Sequence, residues 1–156
     1  MNIAVITPIK HLPGVQKLVE SKGSVFYLEE GTKQEIKQLL LKKSIDAIIC
    51  NPNQQTYKID QELLEGTQVK IINSCSTGLN HIDLHYCESH NIEIQCHKND
   101  YELINQLPST SELAFGLMLS LLRKIPESKN HTLNYQWDYT QFVGRQIKDL
   151  KIGIIG

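Results

Sequence analysis

A run of small polar residues is the segment of this sequence best suited to bind a small ligand. Ser76, Thr77 and Gly78 lie between a β-type run that ends at Asn73 and a helical stretch that begins at Ile82. Backbone N–H groups in a strand-to-helix loop of this kind can surround an anion. This loop is therefore a candidate anion site, although a loop of this kind taken alone is more typical of an ordinary strand-to-helix turn.

Within this loop, we expect backbone groups to matter more than side chains. Thr77→Ala should have a small effect, because the threonine would contribute mainly through its N–H. Gly78→Val should have a much larger effect, because glycine permits both φ > 0 and the close approach of a ligand to the backbone.

Histidines and cysteines are crowded just after this loop, which raises the possibility of a metal site: His81, His85, Cys87, His90, Cys96 and His97. His81 and His85 have the i, i+4 spacing that zinc proteases use. Position 82 holds isoleucine where that motif needs glutamate, and no cysteines form a C-x-x-C pair. We therefore predict scattered surface histidines and no metal site.

Composition points to a protein of the cytoplasm. The net charge of 156 residues is −1, with acids and bases interleaved, so neither nucleic acid nor an anionic membrane is an expected partner. The N-terminus shows no basic region followed by a cleavage site. Four cysteines without a regular framework are typical of free, buried thiols in a reducing compartment: Cys50, Cys75, Cys87 and Cys96.

The elements that must position the loop alternate between strand and helix up to about residue 96. β-Branched runs predict five strands, at 2–7, 24–28, 46–50, 69–73 and 92–96. Apolar residues at three- and four-residue spacing predict the intervening helices, at 15–20, 34–42, 61–64 and 82–90. Short apolar strands separated by helices indicate an α/β fold, a flavodoxin-like five-stranded parallel sheet with helices on both faces.

Signalling receiver domains share this fold, but the sequence excludes their chemistry. A receiver needs acidic residues after its first strand and an aspartate at the end of its third. Thr7-Pro8 and Cys50-Asn51 occupy those two places.

The remainder of the chain has a different pattern. Proline, hydroxyl residues and an early acid at 107–112 predict a capped helix start, and Pro126 should stop this helix after residue 124. The helix is apolar nearly all round, which predicts burial on every side. Lys151-Ile152-Gly153-Ile154-Ile155-Gly156 predicts the first strand of a second parallel sheet. We thus expect three parts: 1–98, 99–150 and 151–156.

Three segments of the chain resemble the D-isomer-specific 2-hydroxyacid dehydrogenase family. Residues 70–84 (KIINSCSTGLNHIDL) resemble the family's strand, glycine-rich loop and helix start. Residues 109–126 resemble a helix that ends in L-R-x-I-P. Trp137, Phe142-Val143-Gly144-Arg145 and residues 151–156 resemble the run that leads into G-I-I-G-x-G-x-x-G.

The resemblance implies the substrate-binding half of an oxidoreductase that uses NAD, or NADP, to interconvert a D-2-hydroxy acid and a 2-keto acid. By position in the family, Ser76, Thr77 and Gly78 line the substrate carboxylate. Thr77, Thr110 and Gly156 lie at the cofactor, although Thr110 alone is equally typical of a helix N-cap.

The family's catalytic arginine, glutamate and histidine belong to a following segment, so the resemblance places no catalytic residue within the 156 residues and implies that they are inactive by themselves. It also implies a homodimer and a nucleotide-binding domain inserted into the first. An NAD-sensing corepressor on the same scaffold is the alternative function.

The loop differs from the commoner version of the family motif at two positions. Ser74 stands where many members have arginine, and Ser76 stands where many have glycine. These differences argue against a highly charged substrate such as phosphoglycerate.

Overall fold

The computed structural model describes residues 1–52 and 56–155, which form two compact units. The first unit is Met1–Ile104, and the second begins at Asn105. Each unit is described by itself.

The first unit contains a five-stranded, fully parallel sheet. Its strands are β1 (Asn2–Val5), β2 (Ser24–Tyr27), β3 (Ala47–Cys50), β4 (Ile71–Ser74) and β5 (Glu93–Gln95), in the order β2-β1-β3-β4-β5. The predicted flavodoxin-like α/β architecture is confirmed. All five predicted strands are present, and each is one to two residues shorter than predicted.

Helices connect the strands. Polar side chains cap the N-termini of several of these helices. The helices are α1 (Pro13–Glu20), α2 (Lys33–Lys42), α3 (Gln61–Leu64), α4 (Leu84–Ser89) and a further short helix, α5 (Tyr101–Ile104). Thr32 and Glu35 form a reciprocal capping box on α2. Asp60 and Asp83 accept backbone N–H groups in the first turns of α3 and α4.

The two faces of the sheet are covered unequally. One face packs against α2, α3 and α4 through a large cluster in which Ile36, Ile48, Leu63 and Ile72 are fully buried. The opposite face has a smaller cluster of Ile3, Val5, Ile9 and Ala47. Helix α1 contributes no buried residue, so this second face is only thinly covered.

The second unit is helical. It contains α6 (Ser109–Leu122), α7 (Ile125–Leu133) and 3₁₀ turns at Thr140–Phe142 and Ile147–Asp149. The prediction that Pro126 only terminates a helix is incomplete. Lys124 adopts a left-handed conformation after α6, and Pro126 then lies in the first turn of α7, where its missing N–H costs no helical hydrogen bond.

The chain itself does not supply the burial expected for α6, and the strand expected from residue 151 onward does not form among the described residues. Helix α6 has no buried residue, and Leu113, Leu117 and Leu121 are 63%, 56% and 77% exposed. Residues 151–155 form no strand, since a parallel strand needs hydrogen-bonding neighbours on its flanks.

No helix among the described residues is both long enough and apolar enough to cross a bilayer.

Candidate functional site

The loop that follows β4 is held between the ends of two neighbouring strands. The Cys75 N–H donates to the Cys50 carbonyl at the end of β3, at 3.0 Å. The His97 N–H, beyond β5, donates to the Ser76 carbonyl at 3.2 Å. The loop therefore lies at the carboxyl edge of the sheet, where parallel α/β folds bind ligands.

Thr77 and Gly78 present the loop's available donors. Both residues are exposed, and their N–H groups donate no hydrogen bond within residues 1–52 and 56–155. The Ser76 N–H instead donates to the Ser74 carbonyl at 2.7 Å. Within residues 76–78, the Thr77 and Gly78 amides therefore have no hydrogen-bond partner among the described residues, whereas the Ser76 amide is engaged inside the loop.

The expected requirement for glycine at position 78 is wrong with respect to the backbone. Gly78 does not have a positive φ, and a Cβ added there would meet no atom within 4 Å. A small side chain at this position would therefore point into open space without straining the loop.

A cleft of about 590 Å³ opens beside these amides and carries two positive charges. Its lining contains Lys58, Lys98, Thr77, Gly78, Leu79, Asn80, Ile82 and Leu84. Two ammonium groups near free N–H donors favour an anionic ligand. The sequence reasoning missed both lysines, because only the fold brings these distant segments to one loop.

His81 lies behind the loop, in the interior of the first unit. Its side chain is 8% exposed, and Nε2 is 3.1 Å from the Ser74 Oγ and 3.5 Å from the Cys50 Sγ. The prediction of a surface histidine is wrong at this position. His85, His90 and His97 are exposed as predicted.

Burial also governs the cysteines near the loop. It raises the pKa of Cys50 to about 12, so this thiol is protonated at neutral pH and is not an activated nucleophile. All four cysteines are free thiols without a disulfide, but only Cys50 and Cys87 are fully buried. No group of three or more potential metal ligands occurs among the described residues.

The predicted cofactor residues are placed in different ways. Thr77 is in the exposed loop of the first unit. Thr110 belongs to the second unit and lies in the first turn of α6, whose N-cap is Pro108 without a side-chain cap. Its interpretation as an N-cap is therefore wrong. Gly156 lies outside the described residues.

The burial of His81 predicts a pH dependence of stability. Burial lowers the pKa of His81 below its ordinary value of about 6.5, because the interior disfavours the imidazolium. The unfolded chain then binds a proton at this residue more readily than the folded chain, so folding stability falls as pH falls below about 6.5. We expect wild type to lose more unfolding free energy than His81→Gln between about pH 7.5 and about pH 5.

Chemical denaturation at several pH values measures this difference. His90→Gln is the matched control, because His90 is exposed, and its pH profile should follow that of wild type. Equal slopes for wild type and His81→Gln would contradict the prediction.

Comparison with known proteins places this fold and loop in a family. A sequence profile of the D-isomer specific 2-hydroxyacid dehydrogenase catalytic domain matches residues 3–101. A Staphylococcus saprophyticus protein with the provisional name 2-hydroxyacid dehydrogenase is 31% identical over 147 residues, covering 89% of this chain and 43% of that protein.

Solved structures agree with the fold. D-Lactate dehydrogenase from Aquifex aeolicus, complexed with NAD and lactic acid, matches with a TM-score of 0.66 at 21% identity over 96% of this chain and 42% of that one. Acyclic imino acid reductase, in complex with NADPH and D-Arg, matches with a TM-score of 0.70 at 18% identity over 94% and 46%. The chain spans less than half the length of each of these three proteins. The predicted resemblance is confirmed, and the chain belongs to the D-isomer specific 2-hydroxyacid dehydrogenase family.

Proposed function

We propose that this chain is the substrate-binding part of an oxidoreductase that interconverts a small D-2-hydroxy acid and its 2-keto acid with a nicotinamide cofactor. The observation that carries the proposal is the pair of amides at Thr77 and Gly78 that have no partner among the described residues, beside a cleft lined by two lysines. A carboxylate accepts hydrogen bonds from such amides and is attracted by the ammonium charges. The unbonded cysteines suit action in the reducing cytoplasm.

We assign a different role to each of the three parts of the chain. Residues 1–98 would bind the substrate, residues 99–150 would link domains and carry the dimer helix, and residues 151–156 would begin the nucleotide-binding domain. Thr77, Thr110 and Gly156 would approach the cofactor. NAD and NADPH, as bound by the Aquifex dehydrogenase and the imino acid reductase, are the two candidates.

The substrate is proposed to be a small monocarboxylate rather than a phosphorylated acid. Ser74 is 1% exposed, so its hydroxyl faces the interior rather than the cleft. Ser76 donates its hydroxyl to the Gly78 carbonyl at 2.7 Å. Serine is uncharged, so neither position adds a cation to the two lysines of the cleft, whereas an arginine at position 74 would add one.

Amide NMR with pyruvate as the probe tests the proposed site. We expect pyruvate to shift the Thr77 and Gly78 amide resonances most, and added salt to weaken binding because the lysine charges are screened. Thr77→Ala should change the pyruvate Kd by less than about tenfold, since it keeps the N–H. Gly78→Ala should change the free energy of unfolding by less than about 0.5 kcal/mol.

Shifts confined to other residues would contradict the carboxylate site. Thr67→Ala is a matched threonine control, because Thr67 lies outside the loop and the cleft, in the turn after α3.

The exposed apolar residues of α6 support the proposal of a homodimer. Leu113, Phe115, Leu117 and Leu121 are each more than half exposed, and burying apolar surface gains about 25 cal/mol per Å². A second copy of the same helix is a complementary partner in a symmetric interface.

Light scattering at micromolar concentration measures the proposed dimer. We expect a mass of twice 17.8 kDa for the chain, and a monomer for Leu117→Asp. Leu18→Asp is the control, because Leu18 is 60% exposed but lies on α1, and it should remain dimeric. A monomeric wild type would refute this part of the proposal.

A further inference from the structure

A line of four polar groups runs from the interior of the first unit to the Thr77–Gly78 loop. The His81 Nε2 is 3.1 Å from the Ser74 Oγ, which is 2.8 Å from the Ser76 Oγ. The Ser76 hydroxyl in turn donates to the Gly78 carbonyl at 2.7 Å. The two central members are the serines at which the sequence differs from the commoner family loop.

The direction of the line follows from counting protons. The Gly78 carbonyl can only accept, so Ser76 gives its single hydroxyl proton to that carbonyl. Ser76 must then accept from Ser74, and Ser74 must accept from the N–H of His81. All three hydrogen bonds form together only when neutral His81 carries its proton on Nε2.

The other nitrogen of His81 agrees with this arrangement. Nδ1 is buried and has no hydrogen-bond partner among the described residues. With the proton on Nε2, Nδ1 bears only a lone pair. With the proton on Nδ1, a buried donor would lack an acceptor and Ser74 would turn its proton away from Ser76. Cys50, at 3.5 Å, adds a weak sulfur contact to the same Nε2.

The line and two backbone hydrogen bonds beside it hold the peptides that flank the Thr77 and Gly78 amides. The Gly78–Leu79 peptide is held by Ser76, and the Cys75–Ser76 peptide is held by the bond from the Ser76 N–H to the Ser74 carbonyl. The Ser76 carbonyl and the Thr77 N–H belong to one peptide group. The His97 N–H holds this group by donating to the Ser76 carbonyl. A loop held at both ends keeps its donors oriented without contact from the ligand.

We propose that His81 is a positioning residue that orders the 76–78 loop through Ser74 and Ser76. The inference rests on the proposed function of this loop as a carboxylate site. His81 does not touch the ligand. Its N–H keeps the two serine hydroxyls aligned, so that the Thr77 and Gly78 amides stay directed outward for the carboxylate of a 2-keto acid.

The test separates loop order from general stability in the 156-residue chain. We expect His81→Leu and Ser74→Ala each to speed amide exchange of Ser76 by about tenfold or more and to weaken pyruvate binding by a similar factor. The double variant should be no worse than either single variant, since both break the same line. His81→Gln keeps an N–H at similar reach and should restore both properties to within about threefold of wild type.

A matched control removes a buried group that is not part of the line. Cys87 is fully buried in the large core cluster of the first unit. Cys87→Ala should therefore lower Tm while leaving Ser76 amide exchange and pyruvate affinity unchanged. Imidazole nitrogen NMR of wild type should show His81 neutral and protonated on Nε2.

The outcomes distinguish the positioning role of His81 from the proposed carboxylate site. A proton on Nδ1, or unchanged Ser76 exchange in His81→Leu, would overturn the positioning role. Equal effects of Cys87→Ala and His81→Leu on the loop would also overturn it. Absence of pyruvate shifts at Thr77 and Gly78 in wild type would refute the carboxylate site alone, because Ser76 exchange decides the positioning role without any ligand.

Discussion

The 156-residue chain by itself is expected to catalyse no NADH-dependent reduction of pyruvate. Hydride transfer needs a bound nicotinamide and a proton donor at the carbonyl, and the sequence contains no G-x-G-x-x-G phosphate-binding motif. His81 is no substitute for the proton donor, because it is buried behind the loop and its pKa is lowered. NADH absorbance, compared with a buffer blank, measures this expectation.

The same reasoning applies to cofactor affinity. We expect calorimetry to give an NAD Kd no tighter than about millimolar, since the proposed cofactor contacts within this chain are few. Turnover above the blank that disappears on mutation of a residue within 1–156 would contradict the expected inactivity. Micromolar NAD binding would contradict the expected affinity.

Ile72→Ala is expected to lower the free energy of unfolding by about 2–5 kcal/mol. Ile72 is fully buried in β4, where it pairs with Ile48 of β3 and Ile94 of β5. Removing most of its side chain leaves a cavity between the sheet and the helices on the large-cluster face.

Its neighbour provides the matched control. Ile71 is in the same strand and has the same side chain, but it lies on the thinly covered face and is only half-buried. Ile71→Ala should therefore cost about 1 kcal/mol. Urea denaturation compares the two variants, and equal losses would show that the two faces are equally well packed.

The sequence predicted the sheet well because its signals are local. Five β-branched runs marked the strands, and Gln61–Leu64 was predicted with the bounds that the structure gives. The loop after β4 was also predicted, since small polar residues between strand and helix are a local signal. The surface that covers α6 was not predicted, because a helix that is apolar on all sides does not specify its packing partner.

The site residues that escaped prediction depend on contacts between distant segments. His81 is buried because its carbonyl accepts from the Ile59 N–H at 2.8 Å and Ile82 bridges to Ile59. Neither contact leaves a local signal in a run that otherwise resembles a surface helix start. Lys58 and Lys98 are 40 positions apart in the sequence, so only the folded chain brings both to one cleft.

The parallel sheet has a consequence for the rate at which this site forms. The strand pairs among the described residues are all parallel, and their registers join Asn2 to Ser24 and Ala47 to Ile71. Each pairing must close a long loop before its hydrogen bonds form, which slows folding relative to helical proteins of similar size. His81 contacts Cys50 and Ser74, the last residues of β3 and β4. The Thr77 and Gly78 amides therefore gain their orientation only after these two strands have paired. Recovery of pyruvate binding in a refolding experiment should therefore lag behind the recovery of helical signal.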